Sequence, residues 1–318
     1  MILLAVPWDA TTSYRPGTAD GPAAILAASR QVDLFDAETG RPYQAGIALI
    51  DAGPEVVAWA KEARALAEPI IAAGGVEALL EGAGGASRAR AVDALSARLN
   101  ERVAAEARRW LERDKIVGVV GGDHATPFGL LQAIAERHPG VGVLHLDAHA
   151  DLRQAYEGFA DSHASIMYNV AERLRSIARI VQVGVRDLSE AEHDYAQKSG
   201  GRVVQLHDAA MAARRGRGAS WASLCDEIVG HLPKEVYLSF DIDGLDPALC
   251  PHTGTPVPGG LSWADVCLLL RAVVESKRTI VGFDLVEVAP GPDGDEWDAN
   301  VGARLLYKMI GWTLRSRG

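Results

Sequence analysis

Short, uninterrupted runs of apolar residues recur along the chain and predict buried β-strands. Such runs lack the polar alternation of a half-exposed strand and are typical of strands covered on both faces, as in a parallel sheet. The runs are ILLAV beginning at Ile2, IALI ending at Ile50, IVGVV ending at Val120, VGVLHL ending at Leu146, IVQVGV ending at Val185, VYLSF ending at Phe240 and IVGFDLVEV ending at Val288. They are spread over the whole sequence, so the predicted sheet draws its strands from the entire chain.

Between these runs, apolar residues recur at helical spacing. The stretch from Arg90 to Arg113 is the clearest case and predicts an amphipathic helix that packs on the core. Its apolar positions are Val92, Leu95, Leu99, Val103 and Trp110. Strands that alternate with helices predict an α/β fold with helices on both faces of the sheet. Because no internal repeat or linker-like tract divides the sequence, we expect a single domain over residues 1–318.

Composition narrows the classes of function. Hydrophobic residues make up 48% and charged residues 23% of the 318 residues, which is a globular profile. The formal net charge of −10 disfavours a nucleic-acid binder, because phosphate backbones attract basic proteins. No apolar run approaches the roughly 18 residues of a membrane span, the start has no signal-peptide pattern, and the three cysteines show no C-x-x-C spacing. We therefore expect a cytoplasmic protein without nucleic-acid or membrane partners.

Polar clusters rich in histidine and carboxylates follow several of the apolar runs. They comprise Gly121–His124, Asp147–Asp151, Asp241–Asp243 and Glu287, with His163 in the loop after the second cluster. In an open α/β sheet, functional residues gather just beyond the carboxyl ends of the strands. The sequence therefore predicts that these side chains meet at one edge of the sheet.

This concentration of carboxylates predicts a metal site. Buried carboxylates are costly unless they are paired or bind metal, and carboxylates that lie close together raise one another's pKa. Alternate residues of an extended chain point to the same side, so Asp147, His149 and Asp151 can face one site, as can Asp241 and Asp243. Divalent cations neutralise the repulsion between these carboxylates. Mixed His and Asp ligands suit Mn, Zn, Fe or Ni better than calcium.

Four segments carry a resemblance to a known family. They are PWDATTSYRPGTADGP at Pro7–Pro22, GGDHA at Gly121–Ala125, LDAHADLR at Leu146–Arg153 and SFDIDGLDPALCPHTGTPVPGG at Ser239–Gly260. They resemble the ureohydrolases, which include arginase, agmatinase and formimidoylglutamase, and the last segment is long and highly specific. The resemblance covers nearly the whole chain. It implies a three-layer αβα sandwich around a mainly parallel sheet, and a hydrolase that cleaves a guanidino compound to urea and an amine.

The resemblance implies a pair of metal ions, usually manganese, although the family includes nickel enzymes. The six implied ligands are His124, Asp147, His149, Asp151, Asp241 and Asp243. Asp147 and Asp241 would bridge the two ions. His124 and Asp151 would complete the first site, and His149 and Asp243 the second. Family members usually assemble as trimers or hexamers, so a homo-oligomer is expected.

Further roles follow from the same resemblance. His163 resembles the family's proton shuttle, and Glu287 resembles the carboxylate that orients the guanidinium through a planar, charge-assisted contact. Asp123 has two open interpretations, as a partner of a metal ligand or as a cap of the next helix. His145 lies inside an apolar run and is expected to be a core histidine rather than a ligand.

The loop before His163 bears on the substrate. Arginases carry an S-G-N type element there that contacts the amino-acid head of arginine, and QAYEGFADSH at 154–163 lacks it. The segment instead resembles the agmatinase branch, so a small cationic guanidino substrate is expected, with agmatine, cleaved to putrescine, first. Glu157 and Asp161 are acidic residues that either meet the ammonium end of such a substrate or are solvated loop charges.

Several alternatives stay open at this point. Aminopropyl-agmatine, guanidinobutyrate and arginine are other guanidino substrates, and a pocket distinguishes a single methylene only modestly. Formiminoglutamate would need a cation for its carboxylates, which Arg153 offers. A single-zinc deacetylase on a related fold and a non-catalytic family member are further rivals. The complete set of six ligands argues against both.

Overall fold

The structure of this protein, a computed structural model, describes residues 1–79 and 84–318. Within these residues the chain forms eight strands, each parallel to its neighbours. They are β1 (Ile2–Val6), β2 (Ala48–Asp51), β3 (Val117–Gly121), β4 (Gly142–Leu146), β5 (Arg179–Val183), β6 (Val203–Leu206), β7 (Glu235–Asp241) and β8 (Thr279–Val286). The strands lie side by side in the order β2-β1-β3-β8-β7-β4-β5-β6 in a single sheet.

Helices cover both faces of this sheet. Over the described ranges they are α1 (Gly21–Ala28), α2 (Val56–Ala73), α3 (Gly85–Leu111), α4 (Phe128–Arg137), α5 (Ile166–Arg173), α6 (Glu190–Lys198), α7 (Asp208–Gly216), α8 (Trp221–His231), α9 (Trp263–Glu275) and α10 (Trp297–Arg315). Side chains of α2 to α6 share one buried apolar cluster with the sheet, and those of α1 and α7 to α10 share another. The predicted three-layer αβα architecture is confirmed. No helix in the described ranges is both long and apolar enough to cross a bilayer.

The apolar runs predicted most of the sheet. All seven contain a strand, and the predicted helix over 90–113 lies within and just beyond α3. The sequence prediction missed β6, which has only four residues, pairs with β5 alone and is half-buried at its two middle positions, Val204 and Gln205. A short edge strand presents a weaker apolar signal than a strand covered on both faces.

The four strands that precede the polar clusters are consecutive in the middle of the sheet, in the order β3-β8-β7-β4. Because the strands are parallel, their carboxyl ends meet at one edge. At the end of β3 the backbone passes very close to the segment that follows β1. A Cβ atom at Gly122 would lie 1.9 Å from the carbonyl oxygen of Trp8, so only glycine fits there. The same carbonyl accepts a hydrogen bond from the backbone N–H of Asp123 at 2.7 Å.

Candidate metal centre and active site

Three carboxylates converge on one ring nitrogen of His124. Its Nδ1 lies 3.0 Å from Asp147 Oδ2, 3.1 Å from Asp151 Oδ2 and 3.3 Å from Asp241 Oδ2. All four side chains are buried. One imidazole nitrogen can satisfy only one of these oxygens by a hydrogen bond. Four ligand atoms directed at one point in the protein interior form a set that suits a divalent cation.

A second group lies next to the first and shares Asp147 with it. His149 Nδ1 lies 3.1 Å from Asp243 Oδ2 and 3.5 Å from Asp147 Oδ1. Asp147 therefore presents one carboxylate oxygen to each group. The predicted ligands thus gather at one sheet edge in two adjoining groups, and their assignment to individual ions stays a prediction.

Backbone N–H groups orient three of these carboxylates. Oδ1 of Asp147 accepts from the N–H of His149 at 2.6 Å, and Oδ1 of Asp241 accepts from the N–H of Asp243 at 2.8 Å. Oδ1 of Asp243 accepts from the N–H of Ala148 at 3.0 Å. One oxygen of each carboxylate is thereby tied to the chain where the strand ends, which leaves Oδ2 of each directed toward the ring nitrogens.

The tautomer of His124 follows from its other ring nitrogen. Nε2 lies 3.0 Å from Ser239 Oγ, and that hydroxyl donates to Asp284 Oδ1 at 3.1 Å. Because the hydroxyl proton goes to the carboxylate, Nε2 of His124 carries a proton, and the neutral ring that a metal requires has its lone pair on Nδ1. Nδ1 of His124 and Oδ2 of Asp147 are buried atoms with no hydrogen-bond partner among the described residues. A lone pair and a free carboxylate oxygen directed at the same point fit a metal ion.

The electrostatics of the metal-free site also favour a cation. Burial, together with the carboxylates of Asp243 and Asp147, raises the pKa of Asp241 well above its ordinary value. Burial and Asp147 raise the pKa of Asp151 to about 6. Burial lowers the pKa of His149, but the Asp243 and Asp147 carboxylates outweigh it and bring that pKa to about 12. The metal-free cluster therefore holds protons that a divalent cation displaces.

Metal binding is expected to depend on pH. Because His149 and Asp241 carry protons in the metal-free cluster and must lose them to act as ligands, we expect Mn²⁺ to release roughly two protons per chain at about neutral pH. Binding should weaken as the pH falls through the Asp151 pKa of about 6. Calorimetric titrations in buffers of different ionisation enthalpy would measure the proton count. A binding enthalpy that is the same in every buffer, together with an affinity that is independent of pH, would contradict the prediction.

A cavity lies over the metal cluster. His163 lines its wall beside the cluster. Its backbone N–H donates to Thr11 Oγ1 at 3.1 Å, and its Nδ1 lies 3.4 Å from that hydroxyl. Burial, then the neighbouring imidazoles of His149 and His124, lower the pKa of His163 to about 3. The ring is therefore neutral, and one of its two nitrogens has a free lone pair. Tyr156 packs edge-on against it, with ring centroids 5.8 Å apart.

The two carboxylate oxygens of Asp123 accept hydrogen bonds from different partners. Its Oδ1 accepts from the N–H of Ala125 at 3.1 Å, which caps the turn before α4. Its Oδ2 accepts from the hydroxyl of Thr11 at 3.2 Å. The carboxylate therefore touches no predicted ligand side chain, but it holds the threonine that in turn holds His163. Asp123 therefore closes a local turn through Oδ1 instead of capping α4, which has no side-chain cap, and Oδ2 supports the candidate shuttle instead of a ligand.

Glu287 follows β8 in a left-handed backbone conformation, with φ at 60°. This conformation is strained for a residue with a side chain, and such residues cluster at functional sites. Two hydrogen bonds hold it, from the Glu287 N–H to Gly122 O at 2.8 Å and from the Thr253 hydroxyl to Glu287 O at 2.7 Å. Its Oε1 accepts from the N–H of His124 at 2.8 Å. This left-handed backbone conformation therefore directs the carboxylate into the cavity beside the metal cluster.

The cavity over the cluster has a volume of about 150 Å³. Arg153, the cation that the sequence offered for a substrate carboxylate, lines the cavity, and the lining residues that the sequence prediction did not assign include Ser13, Tyr156, Asp187, Glu192 and Thr255. Ser13, Tyr156 and Thr255 lie in segments that carried the family resemblance, so their position was a usable signal. No sequence signal pointed to Asp187 and Glu192, because these residues follow β5 and reach the cavity only through the fold.

The acidic loop residues do not meet the cavity. Asp161 forms an ion pair with Arg173 at 2.6 Å, and neither Asp161 nor Glu157 lines the cavity. Asp161 fits neither of the two earlier interpretations, solvated loop charge or contact with a substrate ammonium, because its side chain is only 13% exposed and pairs with Arg173. The cation that does line the cavity is Arg153.

Comparison with known proteins gives a consistent result. The sequence profile of the arginase family matches residues 1–311. The chain is 35% identical over 312 residues to an N(1)-aminopropylagmatine ureohydrolase of Thermus thermophilus, covering 98% of this chain and 89% of that protein. It is 32% identical to a mitochondrial agmatinase of Gallus gallus, covering 96% and 79%. The arginase structure from Medicago truncatula superposes with a TM-score of 0.68 at 25% identity, covering 98% of this chain and 86% of that one.

Proposed function

We propose that this chain, which belongs to the arginase family, hydrolyses agmatine to putrescine and urea with a pair of manganese ions. The observation that carries the proposal is the convergence of three buried carboxylates on His124 Nδ1, with a second group that shares Asp147. Two adjoining ligand groups support a two-metal hydrolase better than a single-zinc deacetylase. Retention of every ligand argues against a non-catalytic role.

The chain's own residues divide the chemistry between them. When bound, the two divalent ions supply an activated water and positive charge beside it. Glu287 has one oxygen tied to the backbone of His124, and the other can pair with a guanidinium held in the cavity. His163 is neutral and lines the same cavity, so its ring can take up a proton and pass it to the departing amine.

We also propose the identity of the metal, the compartment, the domain organisation and the assembly of the protein. Manganese suits mixed His and Asp ligands, although nickel and other divalent ions share that preference. The three cysteines are free thiols, which suits a cytoplasmic protein. We also propose that residues 1–318 form a single domain and that the chain assembles as a homo-oligomer, a trimer or a hexamer.

A substrate panel tests the proposal. Urea release would be measured for agmatine, aminopropyl-agmatine, 4-guanidinobutanoate and arginine, each with metal-depleted protein and with added Mn²⁺. We expect Mn²⁺-dependent urea release with the highest kcat/KM on a substrate that lacks the arginine head group. Higher kcat/KM on arginine than on every decarboxylated analogue would contradict the substrate assignment.

Arg153 favours a second candidate substrate class, the guanidino acids. Its guanidinium stacks over Tyr156, 4.8 Å from the ring centroid, and Nε lies 3.6 Å from Glu192 Oε2. The Glu192 carboxylate also accepts hydrogen bonds from the N–H groups of Leu152 and Ser189. These donors stabilise part of its negative charge, so Glu192 does not neutralise Arg153 fully. The arginine side chain is 39% exposed and lines the cavity, where it would attract a substrate carboxylate and repel an ammonium.

The two classes are separated by Arg153→Gln. We expect kcat/KM for 4-guanidinobutanoate to fall by about tenfold or more, because a charge-assisted hydrogen bond contributes about 1.5–3 kcal/mol. For agmatine kcat/KM should stay within about threefold or rise, since the arginine repels its ammonium. The control is Arg173→Gln, which removes a cation paired with Asp161 outside the cavity. Equal losses on both substrates would show that Arg153 is structural.

A further inference from the structure

A row of buried polar side chains crosses the sheet directly beneath the metal cluster. Gln205 on β6 is in register with Gln182 on β5, and Gln182 is in register with His145 on β4. His145 and Gln182 are fully buried, and Gln205 is half-buried. Polar groups inside a parallel sheet are costly unless each finds a partner. The proton assignments along this row therefore follow from its hydrogen bonds.

The orientation of the Gln182 side-chain amide is fixed by a backbone carbonyl. Nε2 of Gln182 lies 2.6 Å from the carbonyl oxygen of Ala150, which can only accept. On the other side, Nε2 of Gln205 donates to Oε1 of Gln182 at 2.9 Å. Both contacts require the nitrogen of the Gln182 amide to face Ala150 and His145, and its oxygen to face Gln205.

This orientation decides the tautomer of His145. Nε2 of Gln182 lies 2.9 Å from Nδ1 of His145, and an amide nitrogen can only donate. Nδ1 therefore accepts, and the ring proton resides on Nε2. That nitrogen lies 2.9 Å from Oδ2 of Asp147, the same oxygen that faces His124. The imidazole thus presents a fixed N–H to the carboxylate that joins the two ligand groups.

We propose that Gln182 and His145 are positioning residues for Asp147, with the Nε2–H of His145 facing this carboxylate and not coordinating a metal. The inference rests on the proposed metal centre and deepens it. Nε2 of His145 lies 2.9 Å from Oδ2 but forms no hydrogen bond with it, while the backbone N–H of His149 donates to Oδ1. Oδ1 is thereby fixed before a metal binds, and the imidazole packed beside Oδ2 limits where that oxygen can move, which reduces the ordering cost of coordination.

The competing possibility is that His145 coordinates metal itself. Ligand atoms of His124, His145, Asp147 and Asp151 all lie within 4.8 Å of one another, so distance alone allows it. Coordination through Nε2 would require the proton on Nδ1, where it would face the N–H of the Gln182 amide. The carbonyl of Ala150 prevents that amide from turning without losing its own donor.

The first test replaces Gln182 by methionine and measures Mn²⁺ affinity of the metal-depleted full chain by competition with a chelator. Loss of a partner behind a ligand typically costs 10–100-fold in metal affinity, so we expect about a tenfold or larger increase in Kd for Gln182→Met. The matched control is Gln205→Met, which removes an amide from the same row without touching His145. Its Kd should stay within about threefold of the parent value.

The thermal unfolding midpoint of each metal-depleted variant is measured alongside. If Gln182→Met and Gln205→Met lose thermal stability alike and also lose metal affinity alike, the row is structural and the proposal is wrong. If Gln182→Met binds Mn²⁺ as tightly as the parent chain, the proposal is also wrong. A selective loss of affinity in Gln182→Met supports it.

A second measurement does not depend on the variant folding. Nitrogen-15 NMR of histidine-labelled parent protein reports which ring nitrogen of His145 carries the proton, in the metal-depleted and the zinc-loaded forms. A His145→Phe spectrum identifies the signal. We expect the Nε2–H tautomer in both forms. The Nδ1–H tautomer, or a shift of Nε2 on zinc binding that marks coordination, would overturn the proposal.

These readouts are separate from the proposed reaction. If the chain released no urea from any guanidino compound, the proposed function would fail while Kd and tautomer still tested the positioning role. If instead neither the parent chain nor its variants bound divalent metal, the metal centre itself would fail. A failure confined to Gln182→Met concerns the positioning role alone.

Discussion

Asp147→Asn is expected to lose bound metal and to lower kcat/KM for agmatine by roughly a thousandfold, because a metal ion contributes several kcal/mol to the transition state. Asp147 contributes Oδ2 to the group around His124 and Oδ1 to the group around His149. The substitution keeps the size of the side chain but removes the charge that both groups share. The measurements are elemental analysis of metal per chain and urea release.

A matched control distinguishes this effect from a general loss of negative charge. Asp161→Asn removes a carboxylate that pairs with Arg173 outside the cavity, so it should retain both metal and activity. Asparagine keeps an oxygen that can accept the hydrogen bond from Arg173, so the control is expected to fold. Full metal content in Asp147→Asn would contradict the shared-ligand role.

His163→Ala is expected to keep its metal and to lose most of its turnover. A positioned general acid or base contributes about 10²–10⁴-fold, so kcat should fall within that range. The metal content should not change, because His163 contacts Thr11 and Ser162 and lies within hydrogen-bond reach of no predicted ligand side chain among the described residues. The measurements are kcat for urea release and metal per chain on the same preparation.

Added imidazole provides the control for the histidine variant. A small base that enters the cavity should restore part of the lost turnover if the missing group acts in proton transfer. Full activity without added imidazole would show that His163 is not the shuttle. Loss of metal together with activity would instead place the effect on the ligand cluster.

The metal cluster was predictable from sequence because its residues follow long, buried strands. Asp147 and Asp241 come directly at the ends of β4 and β7, and parallel strands bring their carboxyl ends together. The apolar runs identify these strands without any knowledge of their order. The central position of β3, β8, β7 and β4 as neighbours comes only from the structure.

The rest of the site depends on contacts between distant segments. The sequence pattern favoured a core role for His145, and in the structure its Nδ1 pairs with the amide of Gln182 while its Nε2 lies 2.9 Å from Asp147 Oδ2. Its link to a ligand depends on the register of β4 and β5, which apolar periodicity does not encode. Glu157 and Asp161 were candidates for substrate contact by charge alone, but the loop turns both away from the cavity and brings Arg153 in.

A two-metal hydrolase of a guanidino compound needs both ions for activity, and a metal titration of activity tests this requirement most directly. Metal-depleted protein is titrated with Mn²⁺, and urea release from agmatine and from 4-guanidinobutanoate is measured at each step. We predict that urea release is absent without metal and saturates at two ions per chain. Urea release that is unaffected by metal depletion, or that saturates at one ion per chain, would contradict the claim.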